Sequence, residues 1–497
     1  MMTETPHNPP DLVEAFLRQA QSASSMVAVD DRGVAVTYGE LRSLAYRLAG
    51  SIQAAVSGPS PRVLLALSPS PSAYAAMIGS LIGGGTFCPI HVAGPEGRNA
   101  AICRSFYPDI IFYERTPPAF LDVAPVTTRR VDVSQPGSHS VDTPAVVSSD
   151  VAYVVFTSGS TGNPKGVKVG RRGFSYFLHV ARSYFDLRAG ERWGQFSNLG
   201  HDLGVMDVFM ALTQGGTLVP LVEAELLRPA TAIRDRRLSV WQSVPSVIEL
   251  MIRAKQLTAE NLAPLRVMSF CGEPLHPHQL AALFNARPDL HVFNTYGTTE
   301  TTGFNTLNHL TSSNYAESCE DGAVAIGNDV PGWSIHLRGG DTANEGEIVV
   351  ASEFLSLGYW RDEDRTRAAF RQVEFGESGV QRSYFTGDRA VRRSSRVYCL
   401  GRMDRQVKIR GERIELDEID GLLREAGFAA AYTILKDDEL YSFVESTKEV
   451  DQERVRALLA KSLPFHAVPK TVQSLPSLPR SPNGKVDREA LARKVTS

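Results

Sequence analysis

The sequence has little of what marks a secreted, membrane-bound or nucleic-acid-binding protein. Its five cysteines are scattered and lack CxxC spacing, so we expect reduced thiols rather than a disulfide framework or zinc site. The net charge of −3 gives no electrostatic reason to expect a nucleic-acid or membrane partner. The most apolar early segment, 73–85, is shorter than a membrane span, and the polar first residues do not read as a signal peptide. We therefore expect a cytoplasmic protein.

The sequence does contain a regular alternation of apolar segments with strand and helix periods. With 497 residues and 43% hydrophobic content, the chain can form two or more domains with a sizeable core. Strand–helix alternation of this kind predicts an α/β fold, which becomes richer in short strands after about residue 345. The predicted helices are 10–23, 39–56, 73–85, 173–186, 246–254 and 277–286. The predicted strands are 63–67, 151–156, 216–222, 239–243, 266–270 and 346–350.

A Gly- and hydroxyl-rich loop follows the buried strand 151–156. It reads TSGSTGNPKG over residues 157–166. Glycines let backbone N–H groups approach phosphate oxygens, hydroxyls add donors, and Lys165 supplies a positive charge. Pro164 stands where a Walker P-loop needs glycine, so this is not that motif. The alternative is a Gly/Ser surface turn, but the order of the residues favours a site for a polyphosphate.

This loop resembles the phosphate-binding loop of the adenylate-forming superfamily. That superfamily includes acyl-CoA synthetases, luciferases and the adenylation domains of nonribosomal peptide synthetases. Four later segments are similar to its other motifs and follow in the same order: 294–302, 384–388, 401–415 and 479–488. Thr298 replaces a usual proline and Phe385 a frequent arginine, which puts only local contacts in doubt. Taken singly, each segment could also be an ordinary turn or a solvated hairpin.

The resemblance implies a site for ATP and Mg²⁺. Tyr296 would stack on adenine, and Asp388 would accept hydrogen bonds from the ribose hydroxyls. Arg402 would contact the nucleotide, and Glu300 would contact the metal. The other expected cofactor-binding residues are Thr157, Ser158, Gly159, Ser160, Thr161, Gly162, Lys165, Gly272, Asn294, Gly297 and Thr299.

The resemblance also implies the architecture. A large N-terminal domain, 1–403, would consist of layered α/β subdomains plus a β-barrel-like part. A small mobile α+β subdomain, 404–497, would pivot at Asp404, and its Gly411 would line a tunnel for a thiol. Lys485 would be a catalytic lysine, assisted by Lys165 and Glu300, because charge builds on the phosphoryl oxygens during adenylate formation.

The segment 200–207 resembles the part of adenylation domains that carries an aspartate for the substrate ammonium. Asp202 stands in that place, while His201 and Gly204 depart from the pattern. The alternative, that Asp202 caps the following helix, stays open. The remaining predicted pocket residues are Leu203, Met206, Gln242, Ser269, Cys271, Thr295, Gly303, Phe304 and Lys485.

Three segments, LGVMD at 203–207, FCGE at 270–273 and FNTYG at 293–297, resemble D-alanine–carrier protein ligases and related stand-alone adenylation enzymes. The polarizable side chains of Met206 and Cys271 and the polar side chains of Gln242 and Ser269 favour a small or polar amino acid as the substrate. A β-amino acid remains an alternative. Only twelve residues follow Lys485, so we expect no fused carrier domain and a separate thiol partner. That partner would be a free-standing carrier protein with a phosphopantetheine arm, and the need for a small activator protein stays open. The alternatives are an acyl- or aryl-CoA ligase and an inactive nucleotide- or carrier-binding scaffold.

Overall fold

The structure is a computed structural model. It describes residues 9–56, 58–135, 149–158, 164–340, 342, 344–376, 379–409, 411–480 and 486–495. Within these residues no helix is both long enough and apolar enough to cross a membrane. All five cysteines are free, as predicted.

The strands are numbered in chain order. They are β1 (Val27–Asp31), β2 (Val34–Thr37), β3 (Arg62–Ala66), β4 (Thr86–Pro89), β5 (Ile110–Tyr113), β6 (Arg129–Asp132), β7 (Val151–Thr157), β8 (Lys165–Gly170), β9 (Arg192–Gln195), β10 (Thr217–Pro220), β11 (Val240–Ser243), β12 (Val267–Phe270), β13 (His291–Tyr296), β14 (Thr306–Leu310), β15 (Cys319–Glu320), β16 (Ala323–Val324), β17 (Asn328–Asp329), β18 (Ser334–Gly339), β19 (Glu345–Ala351), β20 (Phe370–Glu374), β21 (Val380–Arg393), β22 (Arg396–Arg402), β23 (Gln406–Ile409), β24 (Glu412–Glu415), β25 (Ala431–Lys436), β26 (Glu439–Glu445) and β27 (Thr471–Leu475).

The α-helices are numbered in the same way. They are α1 (Leu12–Ser22), α2 (Tyr38–Ala55), α3 (Pro71–Ile82), α4 (Glu96–Phe106), α5 (Arg171–Phe185), α6 (Asp202–Leu212), α7 (Glu223–Leu226), α8 (Pro229–Asp235), α9 (Ser246–Arg253), α10 (Ala259–Leu262), α11 (Pro277–Ala286), α12 (Glu363–Ala369), α13 (Leu416–Glu425), α14 (Gln452–Leu459) and α15 (Arg488–Lys494).

Two large, mainly parallel sheets form the first part of the chain. One has the order β6-β5-β3-β4-β7-β8, with β8 antiparallel to β7. The other has the order β17-β14-β13-β12-β11-β9-β10-β1-β2 and is parallel from β13 to β1. An antiparallel five-stranded sheet follows, in which β18, β19, β21 and β20 are adjacent and β22 pairs with β21. These sheets confirm the predicted α/β class with a later β-rich part.

Helix α5 lies between the two large sheets. Its Phe174 packs edge-on against Tyr153 of β7, with the ring centroids 5.2 Å apart. Its last residue, Phe185, contacts Phe293 of β13 at 4.8 Å. Aromatic side chains of one helix therefore join both sheets in a single buried cluster, which supplies much of the hydrophobic stabilisation.

The elements after residue 405 form a smaller α+β unit with its own core. The β23–β24 hairpin precedes α13, and β25 and β26 form an antiparallel pair that β27 extends in parallel. Ile419 and Leu423 of α13 are fully buried against Val444 of β26 and Leu459 of α14. The domain boundary at about 404 stays a prediction.

Every helix and strand predicted from periodicity coincides with an observed one, and only the ends differ. The largest difference is in the helix predicted at 73–85, which is observed at Pro71–Ile82. It begins earlier because Ser70 caps it: the Ser70 hydroxyl accepts from the Ala73 N–H, and Pro71 suits the first turn. It ends earlier because three consecutive glycines, 83–85, follow it.

Candidate active site

The predicted nucleotide residues meet where β13 and β22 end, beside the middle of β21. The Tyr296 hydroxyl donates to Asp388 Oδ2 at 2.7 Å, and Arg402 Nη1 donates to Asp388 Oδ1 at 3.2 Å. Burial and the nearby Asp388 carboxylate raise the pKa of Tyr296 well above its ordinary value, so the phenol stays protonated. Asn294 lies next to them on β13 and donates its side-chain amide to the Ala325 carbonyl at 3.0 Å.

A cavity of about 460 Å³ opens beside these residues. Asn294, Tyr296 and Asp388 line one side of it. Elements that follow residue 404 line the other side, including Lys408 and Arg488. A cavity of this size fits a nucleoside or the arm of a thiol cofactor.

Asp404 stands between these two walls. Its Oδ1 accepts from Arg402 Nε at 3.0 Å and from the Gln406 N–H at 3.1 Å, and its Oδ2 accepts from Arg402 Nη2 at 2.6 Å. Burial raises the pKa of Asp404, but the Arg402 guanidinium outweighs it, so this pKa lies below its ordinary value. The predicted pivot is thus an ionised carboxylate tied to a predicted nucleotide contact.

Glu300 is the most completely enclosed carboxylate of the site. Arg413 Nη1 lies 3.2 Å from both of its oxygens, Lys165 Nζ lies 3.3 Å from Oε1, and the Tyr359 hydroxyl donates to Oε1 at 3.1 Å. The Glu300 side chain has no exposed surface. Removal of one partner from a buried ion pair of this kind typically costs about 3–5 kcal/mol, because an uncompensated charge remains.

The charges of this cluster shift one another's pKa values. Burial raises the pKa of Glu300, but the positive charges of Arg413 and Lys165 outweigh it and hold this pKa far below its usual range. Burial lowers the pKa of Lys165, although Glu300 opposes that shift. Burial also lowers the pKa of Arg413, but Glu300 more than reverses this, so the guanidinium stays charged. Glu300 and Arg413 therefore stay ionised, and the nearby Glu415 carboxylate also raises the pKa of both Lys165 and Arg413.

Glu300 is the predicted metal contact, and its surroundings test that prediction. Mg²⁺ needs oxygen ligands at about 2.0–2.1 Å and usually takes one or two carboxylates together with substrate phosphates. Both Glu300 oxygens already face cationic nitrogens. Among the described residues no group of three or more His, Cys, Asp or Glu side chains could hold a metal. The residues in this arrangement therefore do not fit Mg²⁺.

The β23–β24 hairpin brings Arg413 into the site. The N–H of Gly411, at the hairpin turn, donates to Glu273 Oε1 at 2.5 Å. The Glu273 Oε2 accepts from the N–H of Ser246, the first residue of α9, at 3.0 Å. The Ser158 hydroxyl donates to the carbonyl of Arg413. The hairpin is thus held between the start of the phosphate loop and the residues after β12.

Gly411 is required at this position by its backbone and by its surroundings. It has a φ of +78°, and a Cβ atom added there would lie 2.2 Å from Val244 Cγ1. Any side chain would therefore strain the turn and prevent the close approach of the hairpin to the core. Gly411 thus lies where the hairpin meets the core, and its place in a thiol tunnel stays a prediction.

A second contact between the core and the later elements involves Glu412. Its Oε1 lies 3.4 Å from His201 Nε2, and its Oε2 lies 2.9 Å from His466 Nε2. Burial lowers the pKa of His201, but the Glu412 carboxylate outweighs it, so this pKa is raised. Burial raises the pKa of Glu412, yet the same histidines hold it far below its usual range. The Gly97 N–H also donates to the Lys461 carbonyl at 3.1 Å.

A smaller pocket of about 90 Å³ lies next to the large cavity. Six residues line both spaces: Gly272, Gly297, Asp388, Arg402, Gln406 and Lys408. Six of the predicted substrate residues line the small pocket: Asp202, Leu203, Met206, Cys271, Gly303 and Phe304. The sequence prediction therefore placed these side chains around one space.

Asp202 is the first residue of α6, which His201 precedes in extended conformation. Its Oδ2 accepts from the Thr299 hydroxyl at 2.6 Å, and its Oδ1 accepts from the Leu203 N–H at 2.8 Å. The side chain thus contacts the first turn of the helix and also lines the pocket. The N-cap of α6 is His201, which makes no side-chain capping hydrogen bond, so Asp202 contacts the helix only through the N–H of Leu203.

The other predicted pocket residues, Gln242, Ser269 and Thr295, lie on β11, β12 and β13. Gln242 and Ser269 are paired in register. Both are almost fully buried, and the Gln242 amide and the Ser269 hydroxyl have no hydrogen-bond partner among the described residues. Thr295 lines the large cavity, and its hydroxyl donates to the Phe270 carbonyl at 2.9 Å.

Several predicted site residues lie outside the described residues. They are Gly159, Ser160, Thr161, Gly162 and Lys485. Of the predicted loop, Thr157 ends β7 with its hydroxyl buried and without a partner among the described residues. Lys165 begins β8.

Sequence reasoning missed Arg413, Glu273, Tyr359 and Glu412. The density of charge in 401–415 was visible in the sequence, but nothing there paired Arg413 with a glutamate more than a hundred residues earlier. The one available signal was the abundance of arginine and glutamate beside Gly411, which is typical of a hairpin that docks on a charged surface.

Comparisons with known proteins cover nearly the whole chain. The family described as AMP-binding enzyme matches residues 16–360. The chain is 30% identical to the D-alanine–D-alanyl carrier protein ligase of Staphylococcus haemolyticus (strain JCSC1435), over 98% of this chain and all of that protein.

Two solved structures share the fold. The Vibrio cholerae adenylation domain AlmE, solved in complex with glycyl-adenosine-5'-phosphate, has a TM-score of 0.82 at 24% identity and covers 99% of each chain. The crystal structure of IdnL1 has a TM-score of 0.80 at 27% identity, over 95% of this chain and 100% of that chain. Because the identity to AlmE is only 24%, the similarity to AlmE shows a shared fold and nothing further.

Proposed function

The chain belongs to the AMP-binding enzyme family, and from that premise we propose that it is an amino acid–carrier protein ligase. It uses ATP to activate an amino acid as aminoacyl-AMP and transfers the aminoacyl group to the thiol of a separate carrier protein. The S. haemolyticus relative, named for ligation of D-alanine to a carrier protein, supports both the substrate class and the acceptor. Because the reaction consumes ATP, the proposal places it in the cytoplasm.

The observation that carries the proposal is the junction of the two cavities. The small pocket offers the Asp202 carboxylate and space for a modest side chain. The large cavity offers Tyr296 and Asp388, which suit an adenosine. Because six residues line both spaces, an amino acid in the small pocket would have its carboxyl group beside the α-phosphate of a nucleotide in the large one.

In the first half-reaction, an oxygen of the substrate carboxylate attacks the α-phosphorus of ATP. A P–O bond forms, the bond to pyrophosphate breaks, and pyrophosphate leaves. The roles proposed for this chain are positional and electrostatic: Asp202 holds the ammonium group, while Lys165 and Lys485 face the phosphoryl oxygens. Loss of one such charge typically costs a hundredfold or more in rate, or about 3 kcal/mol. ATP and Mg²⁺ are the proposed cofactors, and no step is assigned to the metal.

In the second half-reaction, a thiolate attacks the carbonyl carbon of the mixed anhydride, a thioester forms, and AMP leaves. The docked β23–β24 hairpin supports this step, because Gly411 lines the small pocket. We assign to the phosphopantetheine arm only the side of the large cavity that Lys408 and Arg488 line, opposite the residues proposed for the adenosine. The step also requires that the elements after Asp404 rotate. Lys485 would then lie at the site during the first half-reaction, and the hairpin would lie there during the second.

The first experiment is substrate-dependent pyrophosphate release with all proteinogenic amino acids, D-alanine, several β-amino acids, and aryl and fatty acids. We expect one strong amino-acid signal, followed by transfer to a phosphopantetheinylated carrier protein rather than to CoA. Activity with only non-amino acids and CoA would favour the acyl- or aryl-CoA ligase instead. Silence with every acid, with and without a small activator protein, would favour an inactive scaffold.

A further inference from the structure

The Thr299 side chain contacts the carboxylate proposed for the substrate ammonium. Its hydroxyl donates to Asp202 Oδ2 at 2.6 Å, a length typical of a charge-assisted hydrogen bond to a carboxylate. Both residues line the small pocket, and Gly297 of the same turn lines the large cavity as well. A hydroxyl from a turn that borders the proposed nucleotide site is thus bonded to the proposed amino-acid site.

The hydrogen-bond donors at Asp202 differ from those at the other carboxylate around the small pocket. Among the described residues that carboxylate is Asp388, which accepts from the charged Arg402 guanidinium. Asp202 instead accepts from two neutral donors, the Thr299 hydroxyl and the Leu203 N–H. A substrate ammonium can therefore form a charge-assisted hydrogen bond with Asp202 without displacing a cation of the protein.

The Thr299 hydroxyl has one proton and can donate one hydrogen bond at a time. Carboxylate oxygens and the ionised phosphate oxygens of ATP are both acceptors, so Thr299 can donate to Asp202 or to ATP but not to both. If the hydroxyl left Asp202 and no other donor replaced it, a carboxylate oxygen of the pocket would lose its partner, which is unfavourable. The ammonium group of an amino acid supplies the replacement.

We propose that Thr299 is a specificity-determining residue whose hydroxyl couples the binding of the two substrates. It donates to Asp202 when no ammonium group is bound there, and it rotates to donate to a phosphate oxygen of ATP when an amino acid brings its ammonium group to Asp202. This inference rests on the proposed function. The amino acid and ATP then increase each other's affinity by the same factor. An acid without an ammonium group leaves the hydroxyl on Asp202 and gives no such increase.

The competing explanation is a purely structural bond, which joins the turn after β13 to the start of α6 and never breaks. A structural bond predicts that the affinity for the nucleotide does not depend on whether Asp202 can accept from Thr299. A shared hydroxyl predicts that the nucleotide binds more tightly once Asp202 no longer accepts from it.

Two substitutions of Asp202 separate its charge from its role as an acceptor. Asp202→Asn removes the charge and keeps an oxygen for the Thr299 hydroxyl, whereas Asp202→Ala removes both. The affinity of the full chain for α,β-methylene-ATP with Mg²⁺ is measured by calorimetry without an amino acid. We expect about tenfold tighter binding in Asp202→Ala than in Asp202→Asn, and less than about a twofold difference when Thr299→Val is also present. No difference, or an equal difference in both backgrounds, would overturn the proposal.

Glycine and acetate test the part of the ammonium group. Glycine carries this group without a side chain that could clash with the pocket wall, and acetate lacks it. An excess of glycine should tighten the binding of the same nucleotide analogue about tenfold, whereas acetate should not. In Thr299→Val the effect of glycine should fall below about twofold. An undiminished effect in that variant would assign the coupling to direct attraction between ammonium and phosphates and contradict the proposal.

Thr298→Val is the matched control for these measurements. Thr298 lines the same pocket, and its hydroxyl lies 3.3 Å from the Thr301 hydroxyl. We expect Thr298→Val to keep the tightening by glycine, and Thr299→Ser to keep it as well, because serine retains the hydroxyl. Loss of the effect in Thr298→Val would show that any disturbance of the turn removes it, which contradicts a specific role of Thr299.

Amino-acid-dependent ATP–pyrophosphate exchange by the unsubstituted chain measures the proposed function separately. Exchange without an effect of Asp202→Ala or of glycine on the affinity for the analogue rejects the coupling and leaves the function intact. Both effects on that affinity, without exchange for any amino acid, support the coupling and reject the amino acid ligase.

Discussion

Gln242 and Ser269 face each other from neighbouring strands without hydrogen-bond partners among the described residues. Two residues earlier on the same strands, Val240 and Val267 pack in the cluster that contains Met206. By the period of two of a strand, Gln242 and Ser269 point to that same side, where Met206 lines the small pocket. Buried polar groups without partners cost about 1–3 kcal/mol each, so a substrate group that bonds to them would be favoured.

We therefore expect an amino acid with a hydroxyl or carboxamide side chain to exceed its apolar isostere in pyrophosphate exchange. Gln242→Leu should reduce that preference about tenfold, because it removes one of the partners. The measurement is kcat/KM for both substrates with both proteins. An unchanged ratio would place the Gln242 amide outside the reach of the substrate.

Asp202→Asn tests the proposed ammonium contact. The amide keeps an oxygen for the Thr299 hydroxyl but loses the charge, so KM for the amino acid should rise about a hundredfold. The deamino analogue of the same acid, which has no ammonium group, should show no such rise. If the substitution raises KM equally for both acids, the Asp202 side chain stabilises the helix and does not contact the substrate.

At the scale of elements, docking of the β23–β24 hairpin on the core can be blocked by a substitution that leaves the charge unchanged. Gly411→Ala places a Cβ that clashes with Val244 only when the hairpin is docked. We expect aminoacyl transfer to the thiol to fall at least about tenfold while pyrophosphate exchange stays the same. Gly427→Ala is the matched control, because Gly427 also has a positive φ, +100°, but a Cβ there would meet nothing within 4 Å. Equal effects of both variants would point to backbone strain instead.

The contact of Glu412 with His201 and His466 makes docking of the hairpin depend on pH. The pKa of His201 is raised in the docked state, so protonation of His201 favours docking. This stabilisation is fully present below the ordinary histidine pKa of about 6.5 and is lost as pH rises through the raised value. Two further charges act on the pKa of His201: Asp202 raises this pKa and Arg98 lowers it. Burial lowers the pKa of His91, the remaining histidine of this contact region.

Glu412→Gln should remove this pH dependence. The rate of aminoacyl transfer by the unsubstituted protein, divided by the rate of the Glu412→Gln variant at the same pH, should fall as pH rises above about 6.5. The ratio cancels the ionisation of the thiol itself, which acts in both proteins. Pyrophosphate exchange serves as the internal control and should be the same in both. A ratio that does not vary with pH would show that Glu412 has no part in docking.

At the scale of the whole molecule, the two half-reactions should separate by substitution. Lys485→Ala is expected to reduce adenylate formation by a hundredfold or more, because it removes a charge from the phosphoryl oxygens. Transfer from preformed aminoacyl-AMP should be nearly unchanged. Rapid-quench measurement of each half-reaction checks this, and equal losses in both would contradict the assigned role.

The sequence predicted the α/β fold well because hydrophobic period and turn residues act locally. It also placed Asp202, Met206 and Cys271 around one pocket, through motifs that keep their order along the chain. It could not predict the contact of Arg413 with Glu300. That contact depends on how the elements after residue 404 lie against the core, and no local pattern encodes a rigid-body orientation.

Glu273 joins the two halves of the reaction in a further way. Its carboxylate accepts from the first N–H of α9 and from Gly411, and it follows the pocket residue Cys271 by two positions. A side chain too large for the pocket would push on Cys271 and shift the same carboxylate that anchors the hairpin. The enzyme would then select its substrate twice, first when the acid is adenylated and again when the aminoacyl group is transferred to the thiol. An adenylate whose side chain does not fit the pocket would be hydrolysed instead of transferred.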